Sequence, residues 1–333
     1  MDLLRNIWYL LIGVLLAGYA ILDGFDLGIG TLMPFLAKSE KDKRYLYNSI
    51  GPFWDGNEVW LLTGGGALFA AFPHAYATVF SGFYLALMLV LFALIFRAVS
   101  LEYWHHSTEN KKLWEWTFII GSFLPALLFG VALGNVVVGV PLDSHMEFTG
   151  SFFTLLRPFP LIIGLLGLVA ILQHGLTYAI LKTEGDLQKR ARSLLNTIWL
   201  AFIVLFLLSF VAAIIWLPFA IKSILGWVFA VVALIAWFLI KYYAKAEQDG
   251  KAFFMSSLLF AALWGIVGAV HFPNLVRAID EANSITVANG SSSQLTLTVM
   301  LIIAIIGMPL VIFYTAYIYR AFKGKVVLDE EGY

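Results

Sequence analysis

The 333-residue chain contains no cysteine. That absence removes disulfides, thiolate-bound zinc, iron–sulfur clusters and a cysteine nucleophile together. Charge is almost as scarce: Asp, Glu, Lys and Arg make up 13% of the residues against 61% hydrophobic ones, and mean hydropathy is +0.88. Soluble globular domains carry about 25% charged residues, and a water-facing surface cannot be covered with so few. Lys and Arg total 21 and so do Asp and Glu, so the net charge is zero and no basic field exists to bind nucleic acid. Glycine-rich phosphate loops, HExxH and a nucleophile elbow are also missing, which leaves nucleotide and hydrolytic chemistry of the soluble type unsupported.

What the chain does have is long apolar runs. About 20 helical residues cross the ~30 Å of hydrocarbon in a bilayer. Segments 75–96, 117–142, 158–181, 193–221, 223–240, 252–276 and 282–319 contain no Asp, Glu, Lys or Arg. Two more, 7–36 and 51–73, are as hydrophobic but carry Asp23 and Asp26, and Asp55 and Glu58. The pattern predicts one all-α transmembrane domain over residues 1–333, with nine spans near 7–36, 51–73, 75–98, 114–140, 159–182, 194–218, 223–241, 252–273 and 295–319. The sixth and seventh divide near Pro218. The first run is too long and too acidic for a cleaved signal peptide.

Lysine and arginine fix the orientation, because they collect in cytoplasmic loops. The loops after spans 1, 3, 5 and 7 and the C-terminal tail hold 17 of them, Arg97 and Lys325 included, whereas Arg5, Arg157, Lys222 and Arg277 are the 4 on the other side. The N-terminus is therefore expected outside and the C-terminus in the cytoplasm. Such alternation requires an odd number of spans. The external segments 140–159 and 277–294 read as loops, "ANGSSSQ" as a flexible one and the tail "VVLDEEGY" as frayed and solvated.

Ionisable groups inside hydrocarbon cost several kcal/mol, so each needs a partner or a function. Asp23 and Asp26 lie three residues apart, as do Asp55 and Glu58, a spacing that puts each pair on one helix face. With a rise of ~1.5 Å per residue, Asp55 lies about one turn in, Glu58 ~10 Å, Asp26 ~15 Å and Asp23 ~20 Å from the cytoplasmic surface. That order suggests a ladder of proton-exchanging acids. The structural alternative has the carboxylates capping backbone near Gly24, Gly28, Gly30 and Gly56. Gly64 to Gly66 suit close helix approach. Of the histidines, His174 alone is deep in a span, while His74, His105, His106, His145 and His271 fall at span ends or in loops. A lone intramembrane histidine is more often a hydrogen-bonded core residue than a haem ligand.

The segments "ILDGFDLGIG" (21–30), "NSIGPFWDGNEVWLLTGGGALFAAFP" (48–73), "FSGFYLALMLVLFALIFR" (80–97), "GSFLPALLFGVALGN" (121–135) and "SSQLTLTVM" (292–300) resemble subunit II of the cytochrome bd-type quinol oxidases, and the resemblance covers nearly the whole chain. It implies a multi-pass protein of the bacterial plasma membrane, built as two four-helix bundles plus one extra helix. The complex it implies oxidises quinol and reduces dioxygen to water. Two b-type haems, haem d and the quinol-oxidising loop belong to subunit I. Subunit II packs against subunit I, often with small single-span subunits, and binds no haem itself. The resemblance further implies a polar channel carrying protons from the cytoplasm. Its mouth maps onto Trp54 and Asp55, and its first-span acids onto Asp23 and Asp26. Glu58 stands where some relatives have Gln. Some members hold a structural quinone in subunit II, but no residue here marks its place. Two other readings stay open: a proton-coupled secondary transporter with midplane acids, and a purely structural scaffold for subunit I.

Overall fold

The computed structural model describes residues 1–328. Twelve α-helices account for most of it: α1 (Asp2–Leu22), α2 (Gly24–Leu36), α3 (Glu40–Ile50), α4 (Trp54–Ala71), α5 (Pro73–Gly82), α6 (Tyr84–His106), α7 (Lys111–Val138), α8 (Pro158–Lys182), α9 (Gly185–Trp216), α10 (Ile224–Lys245), α11 (Asp249–His271) and α12 (Gln294–Ala321). Among the described residues, eight helical stretches are long and apolar enough to cross a membrane, with α1 and α2 counted as one. Asp55 and Glu58 dilute the hydropathy of α4, an 18-residue helix that is not among the eight. The protein is thus a helical polytopic membrane protein.

Helix ends differ from the sequence expectation where local chemistry intervenes. The first run breaks at Asp23, where the carbonyls of Ile21 and Leu22 accept hydrogen bonds from His174 Nε2 and Asn57 Nδ2 at 2.9 Å each. Polar side chains here satisfy backbone groups inside hydrocarbon. The run at 75–98 is two helices: Pro73 starts the short α5, and α6 begins only at Tyr84 and continues to His106. The chain from Leu217 to Ser223 separates α9 from α10, as Pro218 suggests, through a 3-10 turn at Ala220–Lys222.

The centre of the molecule is α2 packed between α7 and α8, with α6 against α7, α9 and α11 against α8, and α10 against α11. α1 lies on α4 and α11, and α12 lies on α1 and α4. The α2–α8 contact is backbone to backbone: a Cβ at Gly28 would stand 2.5 Å from the Ile171 carbonyl oxygen. The two loops expected outside, 140–159 and 277–294, are tied together rather than loose. Strands β1 (Asn274–Val276) and β2 (Ile285–Thr286) pair antiparallel, and Val140 bridges to Ala278. The "ANGSSSQ" segment is anchored as well, with the Ser292 amide on the Ala71 carbonyl at 2.8 Å and Arg5 Nε on Ser291 Oγ at 2.8 Å. At the C-terminal end of α8, Val326 is docked by its amide on the Lys182 carbonyl at 2.9 Å, so the tail is held there; its continuation past Leu328 lies outside the described residues.

Candidate functional site

The intramembrane acids converge on one cation. Arg97 lies in the interior of α6 and is fully buried. Its Nη2 donates to Asp23 Oδ1 at 2.7 Å and its Nη1 to Asp23 Oδ2 at 3.3 Å, a two-point clamp on one carboxylate. The same Nη1 donates to Glu58 Oε1 at 2.8 Å, and Asp26 Oδ2 stands 3.8 Å from Nη2. This corrects the reading of Arg97 as a loop residue. It leaves 16 rather than 17 basic residues for the cytoplasmic side. Three of the four acids therefore form a cluster around a guanidinium, where their separate depths had suggested a ladder.

The helix break at Asp23 makes this possible. α1 ends and α2 restarts there, so Asp23 and Asp26 both face the α4–α6 side, where Glu58 and Arg97 meet them. Asn57, also buried, closes the cluster from α4: its Nδ2 donates to Asp26 Oδ2 at 2.7 Å and to the Leu22 carbonyl. Leu22 O can only accept, so the amide nitrogen must face it and Oδ1 must point away. Tyr319 of α12 donates its hydroxyl to that Oδ1 at 3.1 Å. Asp26 Oδ1, Arg97 Nε and the Tyr19 hydroxyl are buried and make no hydrogen bond among the described residues. The carboxylates do not cap backbone, with one exception: Asp55 Oδ1 accepts from the Gly56 amide at 2.7 Å.

Asp55 itself stands apart from the cluster. It is exposed in the first turn of α4, beside the half-buried Trp54. Glu58, one turn further along the same helix, links the two environments, since its side chain is 24% exposed and still reaches Arg97. Along Asp55, Glu58, Arg97 and then Asp23 and Asp26, the groups run from exposed to fully buried. Val59, Leu62 and Phe69 are exposed on the same helix.

His174 has both ring nitrogens engaged inside the protein. Nε2 bonds to the Ile21 carbonyl and Nδ1 to Ser256 Oγ at 2.8 Å. Because the carbonyl can only accept, Nε2 carries the proton and Ser256 donates to Nδ1. Phe253 stacks on the ring at 4.9 Å. Among the described residues no three His, Asp or Glu side chains group as metal ligands would. Of the glycine triplet, Gly64 faces Leu16 closely while Gly65 and Gly66 face open space.

Sequence reasoning missed Arg97, Asn57 and Tyr319 as members of the site. Asn57 sits inside the quoted "WDGNEVW", between two acids already singled out. Arg97 could have been found from its apolar continuation "AVSL", which prolongs the helix past it. Nothing near Tyr319 in the sequence signals its partner.

The chain as a whole is similar to known proteins. Residues 4–322 match the family described as cytochrome bd terminal oxidase subunit II. Cytochrome bd-I ubiquinol oxidase subunit 2 of Escherichia coli (strain K12) is 36% identical over 366 residues, covering 99% of this chain and 97% of that protein. Cytochrome bd ubiquinol oxidase subunit 2 of Bacillus subtilis (strain 168) is 35% identical over 330 residues, covering 98% of each. A chain in the structure of bd oxidase from Geobacillus thermodenitrificans superposes with a TM-score of 0.82 over 97% of this chain and 99% of that one, at 16% identity, which is a likeness of fold. With a family match over nearly its full length and relatives above a third identical, the chain belongs to the cytochrome bd terminal oxidase subunit II family.

Proposed function

We propose that this chain, as subunit II of a quinol:oxygen oxidoreductase in the bacterial plasma membrane, supplies the complex with a proton path from the cytoplasm. The reading rests on one observation: a row of ionisable groups from the exposed Asp55 through the partly exposed Glu58, one turn along the same helix, to the buried Arg97, Asp23 and Asp26. One guanidinium balances one carboxylate. Further negative charge inside hydrocarbon costs several kcal/mol, so carboxyls beyond the one that Arg97 clamps call for a function. Carboxyl groups exchange protons, and dioxygen reduction to water consumes protons. Trp54 flanks the mouth.

The row lies on a face of α4 that the described residues leave exposed, among apolar side chains. Acids at membrane depth do not face lipid, so we assign this face to the partner, subunit I. The two b-type haems and haem d are assigned to that partner as well, since His174 is fully occupied by Ser256 and Ile21. Small single-span subunits and a structural quinone, found in some relatives, complete the expected assembly. Nine spans with an external N-terminus fit the helices if α4 is counted as a span, and two four-helix bundles, α1/α2–α4–α6–α7 and α8–α9–α10–α11, with α12 as the extra helix, fit the packing.

Asp55→Asn keeps the shape and removes the exchangeable proton. The expected result is slower oxygen reduction by a complex with its full haem content. Wild-type turnover across the pH range would remove Asp55 from the path. Loss of haem would favour the scaffold reading, in which the acids and Arg97 hold the assembly together.

A further inference from the structure

α12 is long but weakly held. Leu297 is its one buried residue among the described residues, and its main neighbours are α1 and α4. Its inner apolar surface therefore does little to fix its height or rotation. Yet one of its residues must be placed to within a hydrogen bond, because Tyr319 closes the Asn57 amide over Asp26.

The cytoplasmic end of α12 carries the fixings that its length lacks. Lys182, the last residue of α8, donates its Nζ to the carbonyl of Phe322, the C-cap of α12, at 2.6 Å. In return Lys325 donates to the carbonyls of Ile180 and Thr183, at the C-terminal end of α8, at 2.9 Å each. The last carbonyls of a helix lack amide partners and carry its negative dipole end, so each helix has its terminus capped by a lysine from the other. Gly324, at φ +100°, supplies the reversal that brings Lys325 back over α8. The Val326 amide on the Lys182 carbonyl adds a further bond, and Asp249 Oδ2 stands 3.7 Å from Lys325 Nζ. Phe53, immediately before α4, packs on the Tyr319 ring at 4.5 Å and lies 5.9 Å from Phe322, so the clamp and the phenol share one support.

We propose that this reciprocal cap is a positioning device for the acid cluster: it sets the end of α12 so that Tyr319 holds Asn57 with its nitrogen on Asp26. Lys182 and Lys325 are positioning residues, acting one helical turn away from the hydroxyl they place. Without the clamp, α12 can slide or turn against α1 and α4. The phenol then leaves Oδ1, and the Asn57 amide loses its hold from α12 and keeps only its bonds to Asp26 and the Leu22 carbonyl. The proposal rests on the reading of the cluster as a proton path.

The test uses the assembled complex, with oxygen consumption measured across pH and normalised to haem content. Lys325→Met and Tyr319→Phe are each expected to slow turnover by about threefold to tenfold, the size of one lost hydrogen bond, and to displace the pH profile in the same way. The combined variant should be no slower than Tyr319→Phe alone, because both act through the same hydroxyl. Lys325→Arg keeps donors on the α8 carbonyls and should restore the profile. If Lys325→Met lowers the yield, the surviving haem-containing complex and the milder Lys325→Gln give the same comparison. An unchanged profile in the Lys325 variants beside a changed one in Tyr319→Phe overturns the proposal, as do losses that multiply in the combined variant. Asp26→Asn tells the two levels apart: wild-type turnover there would sink the proton path itself.

Discussion

Arg97 decides how much charge the acid cluster can keep. A guanidinium stays protonated in any protein environment and offers a planar fork, here used twice on Asp23 and once on Glu58. Arg97→Met would strand three carboxyls, two of them fully buried. Breaking a buried pair from one side costs about 3–5 kcal/mol, so the expected outcome is a large loss of haem-containing complex from membranes, measured by its visible spectrum. Arg97→Lys should assemble better, since one positive charge remains, but a single ammonium cannot hold both oxygens of Asp23 and also reach Glu58. Recovery intermediate between wild type and Arg97→Met is the expected result, and wild-type recovery in both variants would show that the ion pairs hold nothing together. At this scale the acids were readable from sequence because a carboxylate in an apolar run is conspicuous. Their counter-charge was not, because Arg97 follows a charge-free run and looks like the first residue of a loop. The reason lies in tertiary structure: three acids from two other segments let the helix carry a cation inward for a further nine residues, to His106.

Elements follow the hydropathy pattern where lipid or core contact dominates, and depart from it where a backbone must bend. The long runs that became α7, α8, α10 and α11 needed only their apolar length. The break at Asp23, the separate α5 and the bonded external loops depend on contacts that no window of sequence contains. The α2–α8 crossing shows how tight such contacts are. At Gly28 an added methyl meets the backbone of Ile171 and Gly175, neither of which can swing aside. Gly28→Ala should destabilise the assembled protein by about 1–3 kcal/mol, the usual range for overpacking, seen as haem loss at lower temperature. Gly13, on α1, has nothing within 4 Å of a would-be Cβ, so Gly13→Ala should leave that temperature unchanged or raise it, alanine being the better helix former. Between α2 and α4, Ser39 opens α3 with a capping box, accepting from the Asp42 amide while Asp42 accepts from Ser39. Ser39→Ala should cost about 1 kcal/mol of local stability, read as faster amide exchange over Glu40–Ile50 with turnover retained.

For the whole molecule, the proposed orientation rests on charge that lies outside the membrane. Removing Arg97 from the tally expected on the cytoplasmic side leaves 16 basic residues against 4, so the asymmetry behind the proposed orientation survives the correction. The same orientation puts the exposed Asp55 and the α8–α12 cross-cap on the cytoplasmic side, and the paired loops around β1 and β2 outside. If it were reversed, the acid row would open outward and could not draw protons from the cytoplasm. The absence of cysteine makes this directly measurable, because any single introduced thiol is the only one in the chain. Ser144 lies exposed in the external loop and Lys189 is exposed near the start of α9. With Ser144→Cys, a membrane-impermeant maleimide added to intact cells should label the protein. With Lys189→Cys, labelling should appear only after the membrane is opened. Both variants sit far from the acid cluster and should keep full oxygen-reducing activity, so each labelled sample can be shown to be the working enzyme. Labelling of Lys189→Cys from outside, with Ser144→Cys protected, would invert the topology, and the proton path would then have to be withdrawn together with it.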